Sequence, residues 1–207
     1  MALIGNWPSS IGFRTVDFES QTQTRVTETQ SGRTVRFSTA TNKFTARIRY
    51  PFMSKTEFRP IQAFATRANG SLNSFDIILP SVSDTSGSFA SQTLNVTAAA
   101  SVGASSLTVT SDQNSSTILK AGDVVRFANH TKVYMVTTDI VSNGSGVATL
   151  EIFPNLIQAI EDDSAGGSVG VTVNQVPFRM FIDKDVQVYK HATDGTISYE
   201  FDVVEDI

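Results

Sequence analysis

The chain of 207 residues contains no cysteine, which excludes a disulfide framework and a thiolate metal site. Charge is sparse as well: charged residues make up 17%, hydrophobic residues 40%, and the net charge is −4. A chain with this balance projects no overall basic field to attract nucleic acid or an anionic membrane surface. Only two histidines are present, His130 and His191, both in turn-like sequence. A hydrolytic triad needs serine, histidine and carboxylate brought together, and no nucleophile-elbow motif occurs, so both histidines read as solvated. No apolar run approaches the roughly 20 residues a membrane-spanning helix needs. The opening Met1-Ala-Leu-Ile-Gly-Asn-Trp-Pro8 lacks the basic start and long apolar stretch of a secretory signal, and synthesis and folding in the cytosol are expected. The Asn-X-Ser/Thr tripeptides at Asn69, Asn95, Asn114, Asn129 and Asn143 then read as products of an Asn/Ser/Thr-rich composition. Nothing in this inventory calls for a cofactor.

What is present is β pattern. Residues 13–52 alternate in the period of half-buried strands: Phe13, Val16 and Phe18; Arg25 to Thr29; Val35 and Phe37; Phe44 to Tyr50. Ser31-Gly32 and Thr41-Asn42-Lys43 read as turns between them, which predicts a meander of antiparallel strands. The period then changes. Ser54-Lys-Thr-Glu57 has capping-box form, with Met53 and Phe58 placed as a hydrophobic staple. Phe58, Ile61, Phe64, Ala65 and Ala68 share a helical face, and Asn69-Gly70 ends the run. Pro60 conflicts with a regular helix starting at Ser54, so a cap at Thr56 or a bend at Pro60 is expected within a helix of about three turns. Residues 81–93 have the composition of a linker.

Beyond it, short strands are predicted at Leu94–Thr97, Ser106–Thr110, Asp123–Phe127, Lys132–Thr137, Val147–Ile152 and Val169–Val173, with a helical turn at Pro154–Ile160 plugging one end. This spacing suggests a small barrel or sandwich. From Val176 the earlier style resumes, with strands at Val176–Ile182 and Val186–Tyr189. In the last run, Ile197, Tyr199, Phe201 and Val203 strictly alternate with polar partners. The predicted fold class is therefore mainly all-β: an antiparallel β-sandwich with one short helix, formed by 1–93 with 172–207, plus an inserted barrel-like module at 94–171.

Candidate chemistry is thin. Glu161-Asp162-Asp163 and Glu205-Asp206 lack the spaced oxygens of a calcium loop and read as a solvated turn and a charged tail. Gly144-Ser-Gly146 and Gly166-Gly167 are hairpin glycines rather than phosphate cradles. Trp7 fits a sugar platform or, by default, core packing. Arg25, Arg33, Arg36, Arg47 and Arg49 are interleaved with Phe37, Phe44 and Tyr50. A basic strand face with aromatics suits single-stranded nucleic acid or an intersubunit contact, and the contact is the reading carried forward. The candidate assembly interface is Arg33, Arg36, Arg47, Arg49, Tyr199 and Phe201.

The order of these features resembles bacteriophage tail structural proteins. Ser31-Gly-Arg33, Arg47-Ile-Arg-Tyr-Pro51, Glu57-Phe-Arg-Pro-Ile-Gln-Ala-Phe64 and Gly70 to Pro80 look like the opening of tail-tip and baseplate proteins. Lys120-Ala-Gly-Asp-Val-Val-Arg-Phe127, Lys132-Val-Tyr-Met-Val-Thr137 and Thr149-Leu-Glu-Ile-Phe-Pro154 look like the small β module inserted in them. The resemblance implies a non-enzymatic component of the virion tail, a distal tail or baseplate protein, made in the host cytoplasm. Its partners would be further copies of itself, in a ring of six, and the tube, hub and baseplate proteins, without nucleic acid or membrane. The alternative carried with it is a carbohydrate-binding module of an adhesin or tail fibre.

Overall fold

The computed structural model describes residues 2–86, 93–161 and 168–207. Its strands are β1 (Leu3–Asn6), β2 (Thr15–Glu28), β3 (Thr34–Arg49), β4 (Ser74–Ile77), β5 (Leu94–Val96), β6 (Ser106–Ser111), β7 (Thr117–Leu119) and β8 (Val124–Phe127). They continue as β9 (Val133–Val136), β10 (Ile140–Val141), β11 (Val147–Phe153), β12 (Val169–Thr172), β13 (Phe178–Ile182), β14 (Tyr189–His191) and β15 (Ile197–Glu205). One helix, α1, runs from Lys55 to Ala68.

Seven strands form one sheet in the order β1-β4-β13-β15-β3-β2, with β14 paired to β15. All of its pairings are antiparallel except β1 with β4. Strands β11, β6, β5, β12, β8 and β9 close into a barrel, and β7 and β10 form a small separate pair. Each predicted strand of the middle segment has its counterpart here, while the β7–β10 pair has no counterpart among them. The barrel strands alternate: Leu107 and Val109 of β6 and Ala148, Leu150 and Ile152 of β11 point inward. Together with Phe127 and Tyr134 they make a core of their own.

Four local expectations are corrected. Thr41-Asn42-Lys43 is not a turn but part of β3. The ladder skips from Thr22↔Asn42 to Thr24↔Ser38, so the extra polar residues form a bulge, and the Asn42 amide donates to Ser20 and Thr22 at 2.8 and 2.9 Å. Helix α1 is capped at Ser54, whose side chain and Glu57 make the full capping box, and it runs through Pro60. Pro60 removes one backbone bond, but Phe58, Ile61, Ala65 and Ala68 are all at most 2% exposed. Burial of a Phe or Ile side chain contributes about 1.5–3 kcal/mol, enough to hold the helix across that defect. Residues 154–160 form no helical turn. They pair with the 100–104 loop through Leu156 and Ile160 and still plug the barrel with these two side chains. In the last corrected stretch, Val186 and Val188 are exposed and the strand begins only at Tyr189.

The sheet's core joins Phe44, Ile48, Phe75, Phe178, Phe201 and Val203 to α1. It also contains Trp7, stacked on Phe201 at 4.6 Å and donating its indole N–H to the Tyr50 hydroxyl at 2.6 Å. Val124 and Val133, which lie on barrel strands, belong to this same core. The outer wall of β8 and β9 is therefore seated on the sheet.

Candidate assembly surfaces

Strand β15 shows how the sheet meets the barrel. Ile197, Tyr199, Phe201, Val203 and Glu205 all occupy its buried side. Glu205 is thus not part of a solvated tail: it is 0% exposed, as is Lys132 of the β8–β9 hairpin, and the two make an ion pair. One Glu205 oxygen accepts from Val133 N–H at 2.9 Å, and the other from Phe44 N–H at 3.1 Å. The Lys132 ammonium also sits 4.3 Å from the centre of the Phe44 ring. Burial pushes the Lys132 pKa down while Glu205 opposes the shift. A buried pair of this kind adds little net stability, but removing one member strands the other charge.

Two further contacts cross the same junction. Arg126 of β8 donates to the Pro177 carbonyl at 2.8 Å and lies 3.6 Å from Asp76, which also pairs with Arg179 at 3.1 Å. Asp123, at the mouth of β8, accepts from Thr85 and from both the N–H and hydroxyl of Ser86, as well as from Lys120 N–H. Burial alone would raise the Asp123 carboxyl. The donors of Lys120, Ser86 and Thr85 outweigh it and hold the carboxyl below its usual value. The predicted linker therefore clamps onto the barrel at its described end, residues 81–86; the rest of it, 87–92, lies outside the described residues.

The opposite situation holds along β2 and β3. Every β2 residue from Glu19 to Glu28 is exposed, so the two strands leave the body as a ribbon with both faces in water. At about 3.3 Å per residue its tip lies roughly 25 Å beyond Thr22. The tip turn at Ser31-Gly32 forms as predicted, with Gly32 at φ 75° and Gly32 N–H bonded to the Thr29 carbonyl. Val26 and Phe37 are 60% and 59% exposed.

The expected interface residues divide accordingly. Arg33 and Arg36 lie on the ribbon, far from the rest of the set. Arg47 and Arg49 are on the outer face of the sheet, where Arg47 pairs with Asp202 at 2.7 Å and Arg49 with Asp17 at 3.0 Å and Glu200 at 3.5 Å. Tyr199 and Phe201 are 2% and 5% exposed and belong to the core; the alternation that singled them out is that of a buried face. His130, read as solvated, is 5% exposed and bonded to the Tyr134 hydroxyl at 2.9 Å inside the barrel end. Burial lowers its pKa. His191 is exposed. Trp7, Tyr50, Tyr134 and Tyr199 are all at most 5% exposed, so none of them offers a sugar platform.

A cavity of about 580 Å³ lies beside the junction, walled by Ile11, Phe13, Ile78 and Pro80. Its one charged group, Asp76, is already shared by two arginines. Among the described residues no cluster of His, Asp or Glu could hold a metal ion; Asp162 and Asp163 lie outside them. No helix there is long and apolar enough to cross a membrane.

Residues 85–165 match the family model described as distal tail protein pb9, B domain. No curated protein matches the chain. The matched segment starts at the Thr85–Asp123 clamp and covers strands β5 to β11, which include five of the six barrel strands, the part whose hairpins carried the resemblance to tail proteins. The match supports a bacteriophage distal tail protein, with a structural role in the virion tail.

Pairing across the junction was the feature missed from sequence. Its one signal was that Glu205 continues the parity of four buried residues on β15.

Proposed function

We propose that this chain is a structural, non-enzymatic component of a phage tail. Its copies form a ring, expected to be of six, that joins the tail tube to the host-recognition machinery. Residues 1–93 with 172–207 would build the ring, and 94–171 would face outward as a fixed module. The distal tail match carries the reading. The architecture agrees with it: the barrel is seated on the sheet by buried polar contacts, while the sheet ends in a ribbon and in edges at β1 and β2 that are unpaired among the described residues. Exposed edges and two-sided ribbons invite pairing with another chain. Distal tail and tube or baseplate proteins would be the neighbours, and no cofactor is needed.

Negative-stain microscopy beside a light-scattering mass tests this reading. Closed rings, at a mass several times 22.4 kDa, are expected. A protein that stays monomeric at every concentration and is missing from purified virions overturns it.

A further inference from the structure

The chain holds two asparagine–glycine steps in nearly the same local sequence, Ala68-Asn-Gly-Ser71 and Ser142-Asn-Gly-Ser145. Such a step is a reactive pairing. The asparagine side-chain carbonyl carbon lies within reach of the next backbone nitrogen, and glycine puts no side chain in the way. Local sequence rates the two steps alike, but the fold separates them.

At Asn69, the C-cap of α1, the backbone is left-handed with φ 55° and ψ 54°. With that ψ the Gly70 nitrogen lies trans to the Asn69 Cβ, so no five-membered ring can close there without undoing the cap. Gly70 is also buried, and a Cβ on it would lie 2.4 Å from an Asp185 carboxylate oxygen. Asn143 begins the tight turn into β11, and both it and Gly144 are exposed. The Asn143 Oδ1 accepts from the N–H groups of Ser145 at 2.9 Å and Val147 at 3.0 Å, which folds the side chain over the intervening Gly144 peptide. The Gly144 N–H makes no hydrogen bond among the described residues. Two N–H donors on one carbonyl oxygen are the arrangement that stabilises a developing oxyanion, and here they stand beside an unoccupied backbone nitrogen.

We propose that Asn143 is a site of spontaneous deamidation, with water as the co-reactant. Hydroxide takes the Gly144 N–H proton, and the nitrogen attacks Asn143 Cγ. Negative charge gathers on Oδ1, where the Ser145 and Val147 N–H groups receive it. The Cγ–Nδ2 bond then breaks, and ammonia leaves with a proton from water, which regenerates the hydroxide and closes a succinimide. Water opens that ring at either carbonyl. Attack at Cγ leaves an aspartate that keeps both acceptor bonds and adds a negative charge to the barrel. Attack at the main-chain carbonyl leaves isoaspartate. That product routes the chain through the side chain and turns the Asn143 carbonyl, which accepts from Ser115 and Gly146 N–H at 3.0 Å each, into a free carboxylate. The entry to β11 is loosened only in this second product.

The twin step at Asn69 is the internal control. The folded full-length protein is kept in warm, mildly alkaline buffer made with heavy-oxygen water, and the peptides carrying each step are followed by mass spectrometry. Asn143 should be lost at least about tenfold faster than Asn69, with the label taken up in the product. In urea the fold is gone and the two rates should converge. Gly144→Ala is a substitution the turn can hold, because Gly144 has no left-handed φ and an added Cβ meets nothing within 4 Å. It should slow the loss at Asn143 by about tenfold or more and leave Asn69 unchanged. Equal loss at the two steps in the folded protein, or faster loss at Asn69, overturns the proposal. A preference for Asn143 that persists in urea overturns it too, because the preference would then belong to the local sequence and not to the fold.

Discussion

The junction between barrel and sheet and the ribbon of β2 and β3 handle charge in opposite ways. At the junction, Lys132 and Glu205 are fully buried, and the carboxylate also accepts from Val133 and Phe44. On the ribbon, Arg25, Arg33 and Arg36 stand in water without ion-pair partners among the described residues. Burying a charge is costly, so it persists only where the chain meets itself in one fixed arrangement. An exposed arginine costs little alone and stays available to another molecule. The contrast separates the contacts that hold this chain's own shape from the surface it offers to others.

The largest effect should come from breaking the junction. Glu205→Ala removes the acceptor of two backbone N–H groups and leaves the Lys132 ammonium buried without its partner. Urea unfolding should show a loss of about 3–5 kcal/mol. Lys132→Met should cost less, because Glu205 keeps both backbone donors, and the two changes together should cost less than their sum. Strict additivity would mean that the pair is not coupled.

Gly146 tests the barrel alone. It sits at φ 77°, and a Cβ there would lie 2.3 Å from the Ser111 carbonyl oxygen. Gly146→Ala should lower stability by about 2 kcal/mol, read from the same unfolding curves.

His130 adds a pH dependence. Its pKa in the fold lies below the usual 6.5, so the unfolded chain takes up the proton first as pH falls. Stability from this group is complete above pH 6.5 and is lost below it, by at most about 1.4 kcal/mol per pH unit for one proton. Thermal unfolding of His130→Gln should vary less between pH 7 and 5 than that of the wild type.

The smallest effect is expected on the ribbon. Arg25→Glu/Arg33→Glu/Arg36→Glu should change the unfolding free energy of the monomer by no more than about 0.5 kcal/mol. A loss as large as that of Glu205→Ala would show that the ribbon belongs to the chain's own structure and would erase the comparison.

Much of the fold could be read from local pattern. The capping box at Ser54 marked the helix start, and the parity of β15 marked a buried face. The barrel strands followed from apolar alternation between Gly-Asp and Asn-Gly turns. What escaped depends on which strands become neighbours. Arg47 and Arg49 looked available, but the register sets Arg47 opposite Asp202 and Arg49 opposite both Glu200 and Thr15; only the pairing shows these charges satisfied. Thr41-Asn42-Lys43 looked like a turn because a bulge and a turn use the same polar residues. His130 looked solvated in a turn, and only the barrel end, where it meets Phe127 and Tyr134, buries it. The ribbon was read as two shorter pieces, since exposed strands carry little apolar signal to measure their length.

The most direct test of the account replaces residues 23–41 with a two-residue Asn-Gly turn and compares light-scattering mass and thermal stability with those of the intact chain. The account predicts a folded monomer of nearly unchanged stability beside an intact protein that assembles. A shortened chain that assembles as well as the intact one would contradict it.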